Sequence, residues 1–254
     1  MICDFKLPQY FAHSAVLLLT SFAICVNVLP AKAMSVQPIV LDMRSSGGGN
    51  GSQLTVINDA AKPLPVEIVV SRIELNENGE TTAQPAGDEF LIFPPQAMVA
   101  AGATQNFRIQ WVGDPQIKQS QSYVFSVNQV PVKMPAGKSG VQVVFNFATV
   151  VNVAPPSGQS AINLVSTGLG KDDKGKPRPT VTVKNPGNIH AKLTDATIKL
   201  SGNSWTETLR PEQLRQVMGV GLIQPGKTRK FLLPVDVPTN VTQVTASIDY
   251  KHVK

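Results

Sequence analysis

Apolar and polar positions alternate with a period of two along most of this chain, the signature of half-buried β-strands. Short stretches rich in Val, Ile, Phe and Thr carry it: QLTVIN (53–58), VEIVVSRIEL (66–75), NFRIQWV (106–112), YVFSVNQV (123–130), VQVVFNFATVVNV (141–153), PTVTVKN (179–185), ATIKL (196–200), RKFLLPV (229–235) and TASIDYK (245–251). Turn formers separate them in SSGGGNGS (45–52), NDAAKP (58–63), NENGE (76–80) and GKDDKGKPRP (170–179). No stretch sustains a 3.6-residue apolar period. PEQLRQVM (211–218) alone predicts one short helix, with Pro211 in its first turn. Many short strands between turn signals predict an all-β protein of immunoglobulin-like sandwiches.

The Pro/Gly/Ser stretch APPSGQS (154–160) follows the longest alternating run and predicts a boundary. It divides the chain into 34–154 and 155–254. An internal repeat supports two similar halves. Gly102-x-Thr104-x-x-Phe107-x-Ile109 matches Gly226-x-Thr228-x-x-Phe231-x-Leu233, and Asn58 before one strand has its counterpart in Asn185 before another. The expected organisation is two sandwiches in tandem.

Residues 1–33 break the pattern. Lys6 and His13 precede an apolar run at 15–26, followed by Pro30 and the triplet Ala31-Lys32-Ala33. This is the layout of an export signal peptide with cleavage after Ala33. The run is too short to span a bilayer, which takes about 20 residues. A lipoprotein cysteine at Cys25 is the alternative, and Ile24 before it fits that poorly. Removing 33 residues would leave 221, and both cysteines, Cys3 and Cys25, would go with the signal. The mature chain then has no thiol nucleophile, disulfide or Cys metal ligand. Its net charge changes only from +6 to +5, scattered along the chain. A solvated basic surface and a cleft for an anionic group both fit; nucleic acid does not, with so few aromatics beside the Lys and Arg residues.

One catalytic motif matches by letter. GLIQPGKT (221–228) satisfies the phosphate-loop pattern G-x-x-x-x-G-K-[ST]. The chemistry needs a helix beginning at the Lys, whose N-terminus faces the phosphates. Here Pro234 follows within seven residues of Lys227 and would break it. Pro225-Gly226 instead suits a type II turn. No nucleotide, cofactor or metal is expected. His190 and His252 have no ligand set near them in sequence, Asp172-Asp173 reads as a solvated turn, and no nucleophile motif is present. Nothing argues for an enzyme.

The long run at 141–153 has Val141, Val143, Phe145, Phe147, Thr149, Val151 and Val153 on one face. Thirteen residues exceed the usual strand of about five or six. Two readings stand: a core strand with a tail into the linker, or an edge strand whose apolar side chains are kept for a partner.

At this point the chain resembles a family. FPPQAMVAAGATQNFRIQW, then SYVFSVNQVP, a loop, and the long strand ending at Pro155-Pro156 are similar to the first domain of the PapD-like periplasmic pilus chaperones. NPGNIHAKL and LIQPGKTRKF resemble its second domain. The resemblance implies two immunoglobulin-like domains in a boomerang arrangement. It implies a periplasmic chaperone that lends a donor strand to an incomplete pilus subunit and passes it to an outer-membrane usher. It places Val141, Val143, Phe145, Phe147 and Val151 on the subunit-binding face. The free form would be open to self-association. Most members also grip the subunit carboxylate with an Arg on the first strand and a Lys on the donor strand. Here those positions hold Pro38 or a neighbour and Val150, which points to the divergent, archaic-type branch. Arg108 and Arg72 are the conceivable replacement anchors. A secreted two-domain structural or adhesive protein is the alternative function.

Overall fold

The computed structural model describes residues 34–131 and 144–251. The first half carries ten strands: β1 (Met34–Gln37), β2 (Val40–Arg44), β3 (Gly51–Asn58), β4 (Leu64–Leu75), β5 (Thr81–Pro85), β6 (Phe90–Phe93), β7 (Gln96–Val99), β8 (Thr104–Trp111), β9 (Gln121–Gln129) and β10 (Asn146–Ala154). They form two sheets. One runs β1-β3-β8-β6; the other runs β2-β10-β9-β4-β5, with β7 also on β4. The chain changes sheets between β1 and β2, so the first two strands of the fold each close a different edge.

Alternation makes these sheets pack face to face. On β3, Leu54 and Val56 turn inward, and on β8 so do Phe107, Ile109 and Trp111. The opposite sheet supplies Tyr123, Phe125 and Val127 from β9. Phe90 stands edge-on to Trp111, Tyr123 and Phe125, with ring centroids 5.1, 4.9 and 4.9 Å away. Such pairs add about 0.5–1.5 kcal/mol each beyond the area they bury.

The second half carries β11 (Asn163–Lys171), β12 (Pro177–Lys184), β13 (Ala191–Lys192), β14 (Ala196–Gly202), β15 (Trp205–Leu209), β16 (Leu222–Ile223), β17 (Thr228–Leu232) and β18 (Thr245–Tyr250). The sheets are β11-β12-β17, β13-β16 and β15-β14-β18. The short helix α1 (Pro211–Val217) lies where expected, with Pro at its start and Leu214 buried. Its core gathers Val181, Val183, Leu193, Ile198, Leu200, Ile223 and Leu233. The fold is all-β and immunoglobulin-like.

Direct bonds join the halves. The Gln224 side chain donates to the Ile73 carbonyl and accepts from the Leu75 N–H, both at 2.8 Å, so it pairs with β4 much as a strand residue would. The turn after β4 also docks. The Lys230 N–H donates to Glu77 O at 2.8 Å, and Lys227 pairs with Glu74 at 3.2 Å. Gly79, at a φ of 89°, lies directly against the Arg229 guanidinium.

Candidate functional site

Strand β10 is covered unevenly. On one side it pairs with β9 from Asn146 to Val153. On the other it pairs with β2, in parallel, only from Val150 to Ala154. Because the chain before β2 has crossed to the other sheet, Asn146–Thr149 have no strand beside them on that edge among the described residues. The direction of the peptide groups follows from two bonds. The Phe145 carbonyl accepts from Gln129 on the β9 side, and the Val150 N–H donates to Ile39 O on the β2 side. Alternation then turns the N–H and C=O of Asn146 and Ala148 to the bare edge. Unpaired strand edges of this kind are templates for strand addition.

Side-chain burial grades along the same strand. Thr149, Val151 and Val153 are fully inside the first core, while Phe145 and Phe147 are half-buried and pack on its rim. The long alternating run therefore combines both readings: a core strand toward the linker and an open edge toward its start. Val151, expected on the subunit-binding face, is 0% exposed and packs in the core. It has no surface to offer a partner, because β2 covers this part of the strand. Val141 and Val143 lie outside the described residues.

The two arginines are not brought to this edge. Arg108 is exposed on β8, in the sheet that lacks β10. Arg72 is exposed on β4, opposite Tyr123 and Gln84, with β9 between it and β10. The exposed Ile39 and half-buried Val150 stand where the bare edge ends. Neither Arg72 nor Arg108 stands beside Ile39 or Val150.

What sequence reasoning missed is polar. Asp42 Oδ1 accepts from Asn152 Nδ2 and from His190 Nε2, each at 3.0 Å, and its Oδ2 accepts from Lys192 Nζ at 2.6 Å. Burial works against the Asp42 carboxylate, but His190 and Lys192 outweigh it and hold its pKa well below the usual value of 3.8. His190 is buried, with Nδ1 3.1 Å from Ser120 Oγ. It is a satisfied histidine at the junction of the two halves, lining a 540 Å³ cleft with Lys192, Arg44 and Tyr250. Asp42 and His190 stand 148 positions apart, so no local spacing could reveal them.

The phosphate-loop letters form a turn. Gly226 has a φ of 72°, β17 begins at Thr228, and Lys227 pairs with Glu74. Among the described residues no helix begins at Lys227; strand β17 follows it instead.

Comparison with known proteins decides the family. The family model for the pili and flagellar-assembly chaperone PapD N-terminal domain matches residues 34–157. Residues 34–157 belong to the PapD-like pilus-assembly chaperones. This is a family of chaperones rather than a class of enzymes. The chaperone is similar in structure to the YadV chaperone, at 13% identity and a TM-score of 0.52, over 87% of this chain and 93% of that one. It is similar to the class 5 fimbriae chaperone CfaA at 14% identity and 0.51, over 86% and 100% of the two chains. A third likeness is to the CsuC–CsuE chaperone–tip adhesion subunit complex of the archaic chaperone-usher Csu pili of Acinetobacter baumannii. It has 13% identity and a TM-score of 0.50, over 85% and 97%. At these identities the likeness is one of fold, as suits a divergent member. No match to the sequence is found among curated proteins.

Proposed function

We propose that this chaperone captures pilus subunits by lending them the start of β10 as a donor strand. The observation that carries this is the bare edge at Asn146–Thr149, with the Asn146 and Ala148 peptide groups turned outward and Phe145 and Phe147 half-buried on the adjoining face. An incoming strand would complete the ladder through these groups and cover both rings. Val141 and Val143 continue the alternation upstream and belong to the same proposed face. The first sandwich, 34–154, is the capturing domain; the second, 155–254, buttresses it; residues 1–33 are the export signal. The chaperone works in the periplasm and delivers the subunit to an outer-membrane usher, with no nucleotide or nucleic acid in the cycle. The CsuC–CsuE complex is a chaperone with a tip adhesion subunit, which supports the choice of client class.

The test is co-expression with a pilus subunit from the chaperone's own locus, followed by recovery from the periplasm. Phe145→Asp and Phe147→Asp place a charge where the client would bury a ring, worth roughly 1.5–3 kcal/mol, and add an unpaired-charge penalty. Both should reduce subunit recovery at least tenfold. Undiminished recovery with both variants overturns strand donation at this edge.

A further inference from the structure

We infer that Asn152 and Asp42 are positioning residues that fix the register of the donor strand and tie it to the second sandwich. The inference rests on the strand-donation reading for its purpose, but its geometry stands in the free chaperone.

The apolar pattern of β10 leaves its register open. Phe145, Phe147, Thr149, Val151 and Val153 alternate strictly, so a slip of one residue would turn them out of the core. A slip of two keeps the same face inward and exchanges one apolar side chain for the next. Register against β9 and β2 must come from something that is not period-two.

The polar row supplies it. Ser122 on β9, Asn152 on β10 and Asp42 on β2 stand side by side across three strands. Ser122 Oγ donates to Asn152 Oδ1 at 2.9 Å, and Asn152 Nδ2 donates to Asp42 Oδ1 at 3.0 Å. Asn152 is 0% exposed, and its row partner Asp42 meets His190 and Lys192 of the second sandwich. A two-residue slip brings Val150 or Ala154 between Ser122 and Asp42. Asp42 then loses a donor, and in one direction Asn152 moves into the half-buried place of Val150, opposite Val124, where it has no partner. A half-buried amide that loses its bonds is the costly outcome that makes one register win. Thr149 adds a tie on the inner face, where its hydroxyl donates to Pro38 O at 3.2 Å. From the other side, His190 and Lys192 hold the Asp42 carboxylate in place, so the second sandwich takes part in setting the row. Five residues upstream, this register decides where Phe147 stands along the bare edge.

Disulfide trapping in the exported chain, without any client, tests this. Ala148 faces Ser126 in a non-hydrogen-bonded pair, the geometry that best accepts a cross-strand disulfide. In the two slipped registers Ala148 would face Val124 or Asn128 instead. With Ala148→Cys in all cases, Ser126→Cys should oxidise at least tenfold faster than Val124→Cys or Asn128→Cys. Adding Asn152→Val should cut that preference at least fivefold. Lys192→Met, a change at the cleft surface that opens no core, should cut it in the same direction by a smaller factor. An unchanged preference in both backgrounds overturns the inference. If Asn152→Val yields no folded protein, Lys192→Met decides alone, and an unchanged preference there overturns it. Subunit recovery is not read, so this outcome is independent of strand donation.

Discussion

Asn58 and Asn185 occupy the same place in the two halves of the molecule. Each is 0% exposed, and each side-chain nitrogen donates to carbonyls of its own loop and of the strand that returns past it. Their backbones match too. The Asn58 carbonyl accepts from Gly102 and its N–H donates to Ala103; the Asn185 carbonyl accepts from Gly226 and its N–H donates to Lys227. The glycines sit at φ of 68° and 72°, as the turn requires. The repeat seen in sequence is therefore a repeated device: a buried amide that fastens a turn of glycine to the end of a neighbouring strand.

Asn58→Ala and Asn185→Ala should each destabilise the protein by about 1–3 kcal/mol, since buried carbonyls lose their donor. Urea unfolding should show the two losses to be similar. A loss below about 0.5 kcal/mol at either site would show that the amide is not the fastener.

At the junction, Gly79 permits an approach that no other residue could. A Cβ there would stand 2.6 Å from Arg229 Nη2, and the backbone is in the left-handed region. Arg229 cannot easily yield: it is buried, its Nη1 donates to Leu222 O at 2.7 Å, and its guanidinium lies 4.9 Å from the Phe231 ring centre. Gly79→Ala should lower the melting temperature through a cost of about 1–2 kcal/mol from backbone strain alone. Faster amide exchange at Lys230, whose N–H bonds to Glu77 O, should accompany it.

Acid should weaken the molecule through Asp42. Its pKa in the folded state lies below its ordinary value of 3.8 because His190 and Lys192 favour the charged form more than burial opposes it. Such a group stabilises the fold above the unfolded pKa, and that contribution is lost as pH falls below about 4 toward the folded value. Urea midpoints measured from pH 7 down to pH 2.5 should fall for the parent chain. They should fall less steeply in that acid window for Asp42→Asn. Parallel curves for the two proteins would remove Asp42 from the account.

Lys227 offers a check on the phosphate-loop letters. Its amine pairs with Glu74 at the surface, with side-chain exposures of 48% and 66%. Exposed pairs of this kind contribute roughly 0–1 kcal/mol. Lys227→Ala should therefore shift stability only slightly, and calorimetry should detect no heat of ATP binding with either protein.

Much of this chaperone was legible in its sequence. Period-two alternation declares the strands because each buried face must be apolar, whatever the partner. Pro211 and Leu214 mark the one α-helix among the described residues, and Pro225-Gly226 marks a turn, because those conformations depend on local backbone geometry. The order of the motifs was enough to point to the family. What alternation cannot express is the neighbour across the sheet. Val151 and Phe147 look equivalent in sequence, yet one is sealed under β2 and the other stands half-open beside a bare edge. That difference arises where the chain switches sheets between Gln37 and Val40, more than a hundred positions away. The same distance hides Asp42, Asn152 and His190. Each is an ordinary polar residue until the fold brings them together. Asn152 and His190 are buried, so water cannot replace their hydrogen bonds, whereas the more exposed Asp42 is held by the donors of Asn152, His190 and Lys192 around it.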